Sequence, residues 1–505
     1  MGSINGDGRG RAKGRRRGGD PLRGRRALPK LESLESRRLL YGGGSPFHPT
    51  STDPLDVKNG PLADAGQELI KIFSEYQAYR NSGQSGHFDS SPMNTEAKAV
   101  MFIGDGVMVD VAGVGNFTTF VHSLQAAGMT VGINDVQNEL VGGLVPLSDL
   151  VAVATSPQTQ FVKPDYWPIT RSQGKAPDQA EKSQQVDVAK TSFGVNGTGV
   201  TVGVLSDSAN MVGGGLAASA STGDLPKKPD GTPNVNVLAD EQTGIGATPT
   251  DEGRAMLEHI YDQAPGASLA FHSAVGTLDP NSPQGGDLFF AQGIRRLANE
   301  AGAQVIVDDI GYADEPFYQD GIIAQAVNDV TKNNNVTYFS AAGNAADDGF
   351  ESPFRGVNGS AGTVGSGRFM NFNPGTGAPL TQLPITVGAG GGEIIFQYDQ
   401  PVGNVTSDLD IFVLDSGGNI VASGTSNNKA SGQPMEIVPI ANGGNFTVAV
   451  RVAAGDADPG RMVMYAFGGG ITFSHQFGSS GGITYPTTFG HPTADNAIGV
   501  GVNCW

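Results

Sequence analysis

From residue 200 onward the chain alternates short apolar runs with amphipathic stretches of about 12–16 residues, and this alternation limits the fold more than any other feature. Val200–Leu205 is a β-branched run, Glu252–Gln263 reads as a helix and Ser268–His272 as a strand. Gly286–Ala301 follows as a helix stopped at Gly302, then a strand at Gln304–Val307, a helix at Tyr318–Asn333 and a strand at Val336–Ser340. Strands separated by helices of this length cannot close as hairpins. They pair in parallel, with the connecting helices covering both faces of the sheet. Ligand sites in such sheets lie outside the carboxyl ends of the strands.

Two flanking regions have other rhythms. Residues 42–95 read as a linker followed by one helix at about 65–81, and residues 97–165 as a small α+β unit. Its expected strands are Lys98–Ile103, Val107–Val111, Met129–Ile133, Leu140–Val145 and Gln160–Pro164, with helices at Phe117–Ala127 and Leu147–Ala154. Residues 365–475 instead carry short alternating strands between Gly, Asn and Asp turns: Phe396–Tyr398, Leu409–Leu414, Ile420–Ala422 and Phe446–Val452. That pattern predicts an all-β sandwich insert, after which the sheet-and-helix pattern returns at Thr487–Val502.

Charge is distributed unevenly. The first 40 residues hold 12 of the 32 Lys and Arg and only four acidic groups, so the rest carries 20 basic and 46 acidic residues, a net of about −26. An acidic body of this kind argues against a nucleic-acid-binding surface and fits a secreted or cell-surface protein. It also admits Ca2+ as a structural ion. The basic start, with Arg15–Arg17, Arg23, Arg25 and Arg26, reads as a disordered tail. It lacks the apolar stretch of a signal peptide. Leu34-Glu35-Ser36-Arg37-Arg38-Leu39-Leu40 resembles a short Leu-Glu-x-Arg-x-Leu-Leu motif near the N-terminus of many bacterial surface and exported proteins. The single cysteine, Cys504, excludes an internal disulfide framework. No apolar run reaches the length of a transmembrane helix.

Three segments carry the chemistry. Val202–Ser208 is a buried-type strand ending on Asp207, which places a carboxylate at a strand's carboxyl end. Asp251-Glu252-Gly253 opens a helix that runs to Ala264-Pro265-Gly266-Ala267, putting Glu252 at a helix N-terminus. Phe339-Ser340-Ala341-Ala342-Gly343-Asn344 ends a strand on an amide side chain. Between the last two, Val305–Gly311 places Asp308 and Asp309 together at the end of an apolar strand. Taken singly, these are also ordinary helix caps, turn residues and loop acids. Their order, at spacings of about 45 and 90 residues, resembles the subtilisin/sedolisin-like serine peptidase (subtilase) family.

That resemblance implies roles. Asp207 stands where subtilisin-like enzymes place the Asp of their triad. Glu252 stands at the base position, where subtilisins have His and sedolisins Glu; Met256 occupies the place of the Asp that orients the sedolisin Glu. Asn344 matches the subtilisin oxyanion donor, and Asp309 is a candidate to orient Glu252 and raise its affinity for a proton. Glu252, with an ordinary carboxylate pKa near 4.3, needs such help to act as a base. Gly490-His491-Pro492 and Ala497–Gly501 look like the strand closing one side of the specificity pocket. The family's Gly-Thr-Ser-x-Ala segment bearing the nucleophile is expected after this strand, and the sequence reaches Trp505 without it; Gly424-Thr425-Ser426 lies in the β insert and lacks the rest of the motif.

The sequence therefore predicts an α/β, subtilisin-like parallel sheet with helices on both faces, incomplete at its C-terminus. Residues 1–95 form a tail, motif and linker, 96–168 a prosegment-like α+β unit, 169–364 and 476–505 the peptidase domain, and 365–475 the β-sandwich insert. The resemblance implies a serine-type endopeptidase acting on peptide or protein substrates, with no required cofactor and no nucleic-acid partner. This chain is expected to be inactive by itself. The alternative is a non-catalytic extracellular surface or binding protein reusing the fold, with a Ca2+-dependent adhesive module at Asp408, Asp410 and Asp415 as a further variant.

Overall fold

The computed structural model describes residues 46–83, 88, 100–170, 180–241, 248–276, 280–345, 348–474 and 487–501. The basic tail, the Leu34–Leu40 motif and Cys504 lie outside the described residues.

Six parallel strands form the centre: β1 (Thr201–Ser206), β2 (Val235–Ala239), β3 (Ser268–Ser273), β4 (Val305–Asp308), β5 (Thr337–Ala341) and β6 (Ala497–Val500). Their spatial order is β2-β3-β1-β4-β5-β6. The chain builds β2 and β3 to one side of β1, then crosses to the other side for β4, β5 and β6. One level of the sheet runs Ala239, His272, Leu205, Asp308, Ser340 and Gly499 across the six strands. All six carboxyl ends consequently share one edge.

Four helices cover the sheet: α1 (Gly215–Thr222), α2 (Glu252–Gln263), α3 (Gly286–Asn299) and α4 (Ile322–Asn333). Side chains alternate along each strand, so the two faces sort cleanly. Val202, Val204, Leu269 and Phe271 pack against Leu216, Ala220 and Leu257 of α1 and α2. Leu205, Ala270, Ile306 and Tyr338 pack against α3 and α4 through Phe289, Phe290, Ile294, Leu297 and Val327. This is the mixed α/β sheet expected from the alternation. The element bounds differ from expectation by only a few residues; α2 begins and ends where predicted. Helix α1 and strand β2 were not legible in the pattern. Helix α1 is built from Ala, Ser and Gly, and β2 is an edge strand with two exposed positions.

The region 100–170 folds around a five-stranded antiparallel sheet: Phe102–Ile103, Gly106–Gly113, Thr130–Asp135, Leu140–Pro146 and Thr159–Pro164. It lies on the N-terminal half of α3. Gly142 faces Leu288, and a Cβ on Gly132 would overlap the Pro283 carbonyl, so the backbones meet directly there. Its apolar core runs without a break into helix Gly66–Asn81, into Ala313, and into Ile395, Ile437 and Tyr465 of the all-β region.

The all-β region begins at Gly349, earlier than the expected 365, because Gly349–Pro353 and the glycine-rich Gly356–Ala361 show no apolar alternation. Gly349–Pro353 pairs with Arg461–Phe467 in a four-stranded sheet, and a seven-stranded sheet lies beside it. Both sheets contribute to one apolar core that includes Phe350, Phe396, Leu409, Val450 and Met464. The segment before residue 65 is more than a linker. Lys58 Nζ donates to Asp408 at 2.7 Å, to Asp410 at 3.0 Å and to the Ser426 carbonyl at 2.6 Å.

Candidate functional site

The predicted residues converge on the carboxyl edge of the sheet. Asp207 follows β1, Asp309 follows its neighbour β4, and Asn344 lies beyond the end of β5, the next strand. Asp207 and Asp309 are buried, whereas Asn344 is exposed.

Asp207 and Glu252 are joined through the backbone. One Asp207 oxygen accepts the Glu252 N–H at 3.0 Å; the other accepts the Thr250 N–H and hydroxyl, both at 2.7 Å. The carboxylate thus satisfies orphan donors at the start of α2 and complements that helix's positive end. Glu252 opens the helix and is partly exposed. Gly253 beside it is required by space: a Cβ there would lie 2.3 Å from the Phe271 ring and 2.7 Å from the Ser208 carbonyl. The helix can start this close to the strand ends only with glycine at that position.

Asp251, immediately before Glu252, adopts a left-handed backbone with φ 55°. That conformation costs a non-glycine residue of the order of 1 kcal/mol or more. Its side chain is held on several sides. It accepts from the Ser208 hydroxyl at 3.0 Å, Met211 N–H at 2.8 Å and Val212 N–H at 3.0 Å, and it pairs with Arg254 at 2.8 Å. The strained turn and the two acids it positions form one rigid unit at the strand ends.

A further acid joins this unit. Glu241, just past the end of β2, is buried, and among the described residues neither carboxylate oxygen has a hydrogen-bond partner. Burial, then the charges of Asp207, Asp240 and Asp251, push its pKa up to about 7. A carboxyl group titrating near neutrality can hold or release a proton at physiological pH, as a general acid or base must. The sequence reading missed it because β2 was not recognised, so nothing marked Glu241 as a strand-end residue.

A second buried cluster lies beside β4 and β5. His491 Nδ1 faces Glu315 at 2.8 Å, and its Nε2 faces both Asp308 and the Ser340 hydroxyl at 3.1 Å. Ser340 donates to Asp308 at 2.8 Å. The connectivity serine, histidine, acid is that of a nucleophile with its base. The electrostatics oppose that role. Despite burial, the two carboxylates, Glu315 first and then Asp308, raise the His491 pKa to about 9. The ring is an imidazolium at neutral pH, donating from both nitrogens, and has no lone pair to take a serine proton. All four side chains are fully or almost fully buried. This is an ion-pair core that ties the loop before β6 to β4 and β5.

Two other serines near this edge are similarly occupied. Ser208 bonds Asp251, and Ser273 donates to the Asp207 carbonyl at 2.6 Å. Ser206, Ser208, Ser273 and Ser340 are all buried. In the all-β region the expected Asp408, Asp410 and Asp415 set does not come together as a cation cage. Lys58 supplies the positive charge at Asp408 and Asp410, Arg451 adds a bond to Asp410 at 2.8 Å, and Asp415 accepts from Gly417 and Asn419 within its own turn.

The fold and edge together define an α/β protein with an acidic site at the carboxyl ends of a parallel sheet. No protein-family model matches the chain, and no curated protein matches it. Solved structures similar to it include three proteases. The CspB protease of Clostridium perfringens is 11% identical with a TM-score of 0.33, over 57% of this chain and 67% of that one. Fervidolysin from Fervidobacterium pennivorans, a keratinolytic enzyme related to subtilisin, is 14% identical with a TM-score of 0.28, over 49% of this chain and 42% of that one. The epidermin leader peptide-processing serine protease of Staphylococcus aureus is 11% identical with a TM-score of 0.32, over 50% of this chain and 62% of that one. The chain thus spans less than two thirds of the length of the last two. Among the described residues no helix is long and apolar enough to cross a membrane.

Proposed function

We propose that residues 169–348 and 476–505 are a peptidase domain of the subtilisin/sedolisin class, secreted or displayed at the cell surface, acting on peptide or protein substrates. The observation that supports this reading is that Asp207, Asp309 and Asn344 follow three adjacent parallel strands, with Asp207 accepting the Glu252 N–H at 3.0 Å. The reaction class is peptide-bond hydrolysis through an acyl-enzyme, for which a serine nucleophile is still required, since Ser206, Ser208, Ser273 and Ser340 at this edge are buried. Glu252 is the candidate base, Asp207 and Asp309 the acids that fix its surroundings, and Asn344 the donor to the oxyanion. Residues 96–168 take the place of a prosegment against α3, and residues 349–475 that of a β-sandwich insert.

A second reading has its own support. Both Asp207 oxygens are used by Thr250 and Glu252 donors, which is the bonding of a structural cap. Together with the buried serines, this favours a surface or binding protein that keeps the fold without turnover. Labelling with a fluorophosphonate probe and hydrolysis of fluorescent casein between pH 4 and 8 separate the two. Native-state labelling lost on denaturation, with turnover abolished in E252Q, supports the peptidase. Absence of both labelling and turnover agrees with the inactivity expected of this chain by itself and favours the binding protein.

A further inference from the structure

Four aspartates and one lysine are buried together where the 100–170 region meets α3. Asp110 lies in the strand Gly106–Gly113, Lys163 in Thr159–Pro164, and Asp165 just beyond it; Asp287 lies in the first turn of α3, and Asp314 follows β4 in a loop. Lys163 Nζ is committed to two of them, at 2.9 Å from Asp287 and 2.6 Å from Asp314. Its distance to Asp110 is 3.9 Å, beyond hydrogen-bond range.

Asp110 and Asp165 are each only 1% exposed, and among the described residues none of their four carboxylate oxygens has a hydrogen-bond partner. Unpaired buried carboxylates are among the costliest groups a fold can contain. One ammonium cannot balance four carboxylates. Space has also been kept around them. A Cβ on Gly142 would lie 2.9 Å from an Asp110 oxygen, and one on Gly286 would lie 2.7 Å from an Asp165 oxygen. One oxygen from each of Asp110, Asp165 and Asp287 lies within 4.8 Å of the other two. Three buried carboxylates suit Ca2+, which takes several carboxylate ligands, whereas Mg2+ usually keeps several waters and takes only one or two.

We infer that Asp110, Asp165 and Asp287 bind one Ca2+ ion, which clamps the 100–170 region onto the N-terminus of α3. The site is independent of the peptidase reading, since none of its ligands belongs to the carboxyl-edge set. Hard carboxylate oxygens select such an ion over softer metals. Lys163 bonds both Asp287 oxygens, at 3.1 and 2.9 Å, and one Asp314 oxygen, so Asp287 is shared between the ammonium and the ion.

The test uses the full chain, exchanged into 1 mM CaCl2, desalted and analysed for metal by mass spectrometry. One Ca2+ per chain is expected, and stripping with EDTA should lower the thermal midpoint by about 5 °C, restored by Ca2+ but not by Mg2+. The D110N/D165N variant should lose both the ion and the Ca2+ response, while D408N/D410N keeps both. A metal-free wild-type chain whose midpoint ignores EDTA and Ca2+ overturns the proposal, and means that Asp110 and Asp165 are neutralised by protons. Mg2+ retained in place of Ca2+, or an ion that survives in D110N/D165N, overturns it equally. The wild-type metal content decides the matter even if the double variant does not fold.

Discussion

The His491 cluster makes a prediction whose size follows from the structure. The ring is completely buried between Glu315 and Asp308, and these carboxylates hold its proton up to about pH 9, against an ordinary value of 6.5. Each tenfold difference in proton affinity between folded and unfolded chains is about 1.4 kcal/mol, so the ring contributes about 3 kcal/mol to folding. The sign follows from its being a base with a raised folded-state pKa. The contribution is complete below about pH 6.5, where the unfolded ring is also charged. It falls as pH rises from 6.5 and is gone above about pH 9.

A comparison with the neutral triple variant D308N/E315Q/H491Q isolates this effect, because every other titrating group is shared. Urea denaturation of both proteins from pH 6 to pH 10 gives the difference in stability directly. The wild-type chain should lose about 3 kcal/mol relative to the variant across that range, with most of the change between pH 7 and 9. A difference that stays flat would refute the ion-pair account. It would mean that His491 is neutral at pH 6, in which case Ser340 regains a base at 3.1 Å.

Two further substitutions probe the carboxyl edge. G253A forces a Cβ to within 2.3 Å of Phe271, so it should cost about 1–3 kcal/mol by thermal denaturation; an unchanged midpoint would show that α2 does not sit this close to the strands. E241Q removes a buried carboxyl whose pKa is raised to about 7, so it should raise the thermal midpoint at pH 8, where the native group is charged, and have little effect at pH 4.5. The same gain at both pH values would show that Glu241 is not desolvated.

The parallel sheet was legible because its strands and long helices have strong, opposite periodicities: β1 is almost wholly buried, and α3 and α4 bury a continuous apolar stripe. The edge residues were legible for a related reason. A strand pattern that stops on Asp207, Asp309 or Asn344 marks the strand's carboxyl end, and parallel pairing then brings those ends together. What stayed hidden depended on partners distant in sequence. Lys58 meets Asp408 and Asp410 some 350 residues away, and Lys163 meets Asp287 and Asp314 across more than a hundred. Nothing local to Asp110 or Asp165 signals that both would be buried in one place. His491 was read only as part of a strand-closing segment, because its two acids lie 176 and 183 positions earlier.

The acidic excess outside the first 40 residues therefore does more than coat a surface. At three of the places where carboxylates are gathered in the interior, the balance is struck by different means. At the carboxyl edge, backbone N–H groups serve Asp207 and Asp251, so those charges are held without a cation except Arg254. Beside β5, one imidazolium serves Asp308 and Glu315. At the junction with α3, Lys163 serves two of four aspartates and leaves two unserved. In the first two arrangements Asp207, Asp251, Asp308 and Glu315 each have donors or an opposite charge at bonding distance, and Glu241 at the carboxyl edge is the exception. In the third, Asp110 and Asp165 have neither among the described residues, and a buried pair left in that state would favour separation of the 100–170 region from α3. The attachment of that region therefore depends on what the solution supplies, whereas Asp207, Asp251, Asp308 and Glu315 are served by the protein's own groups.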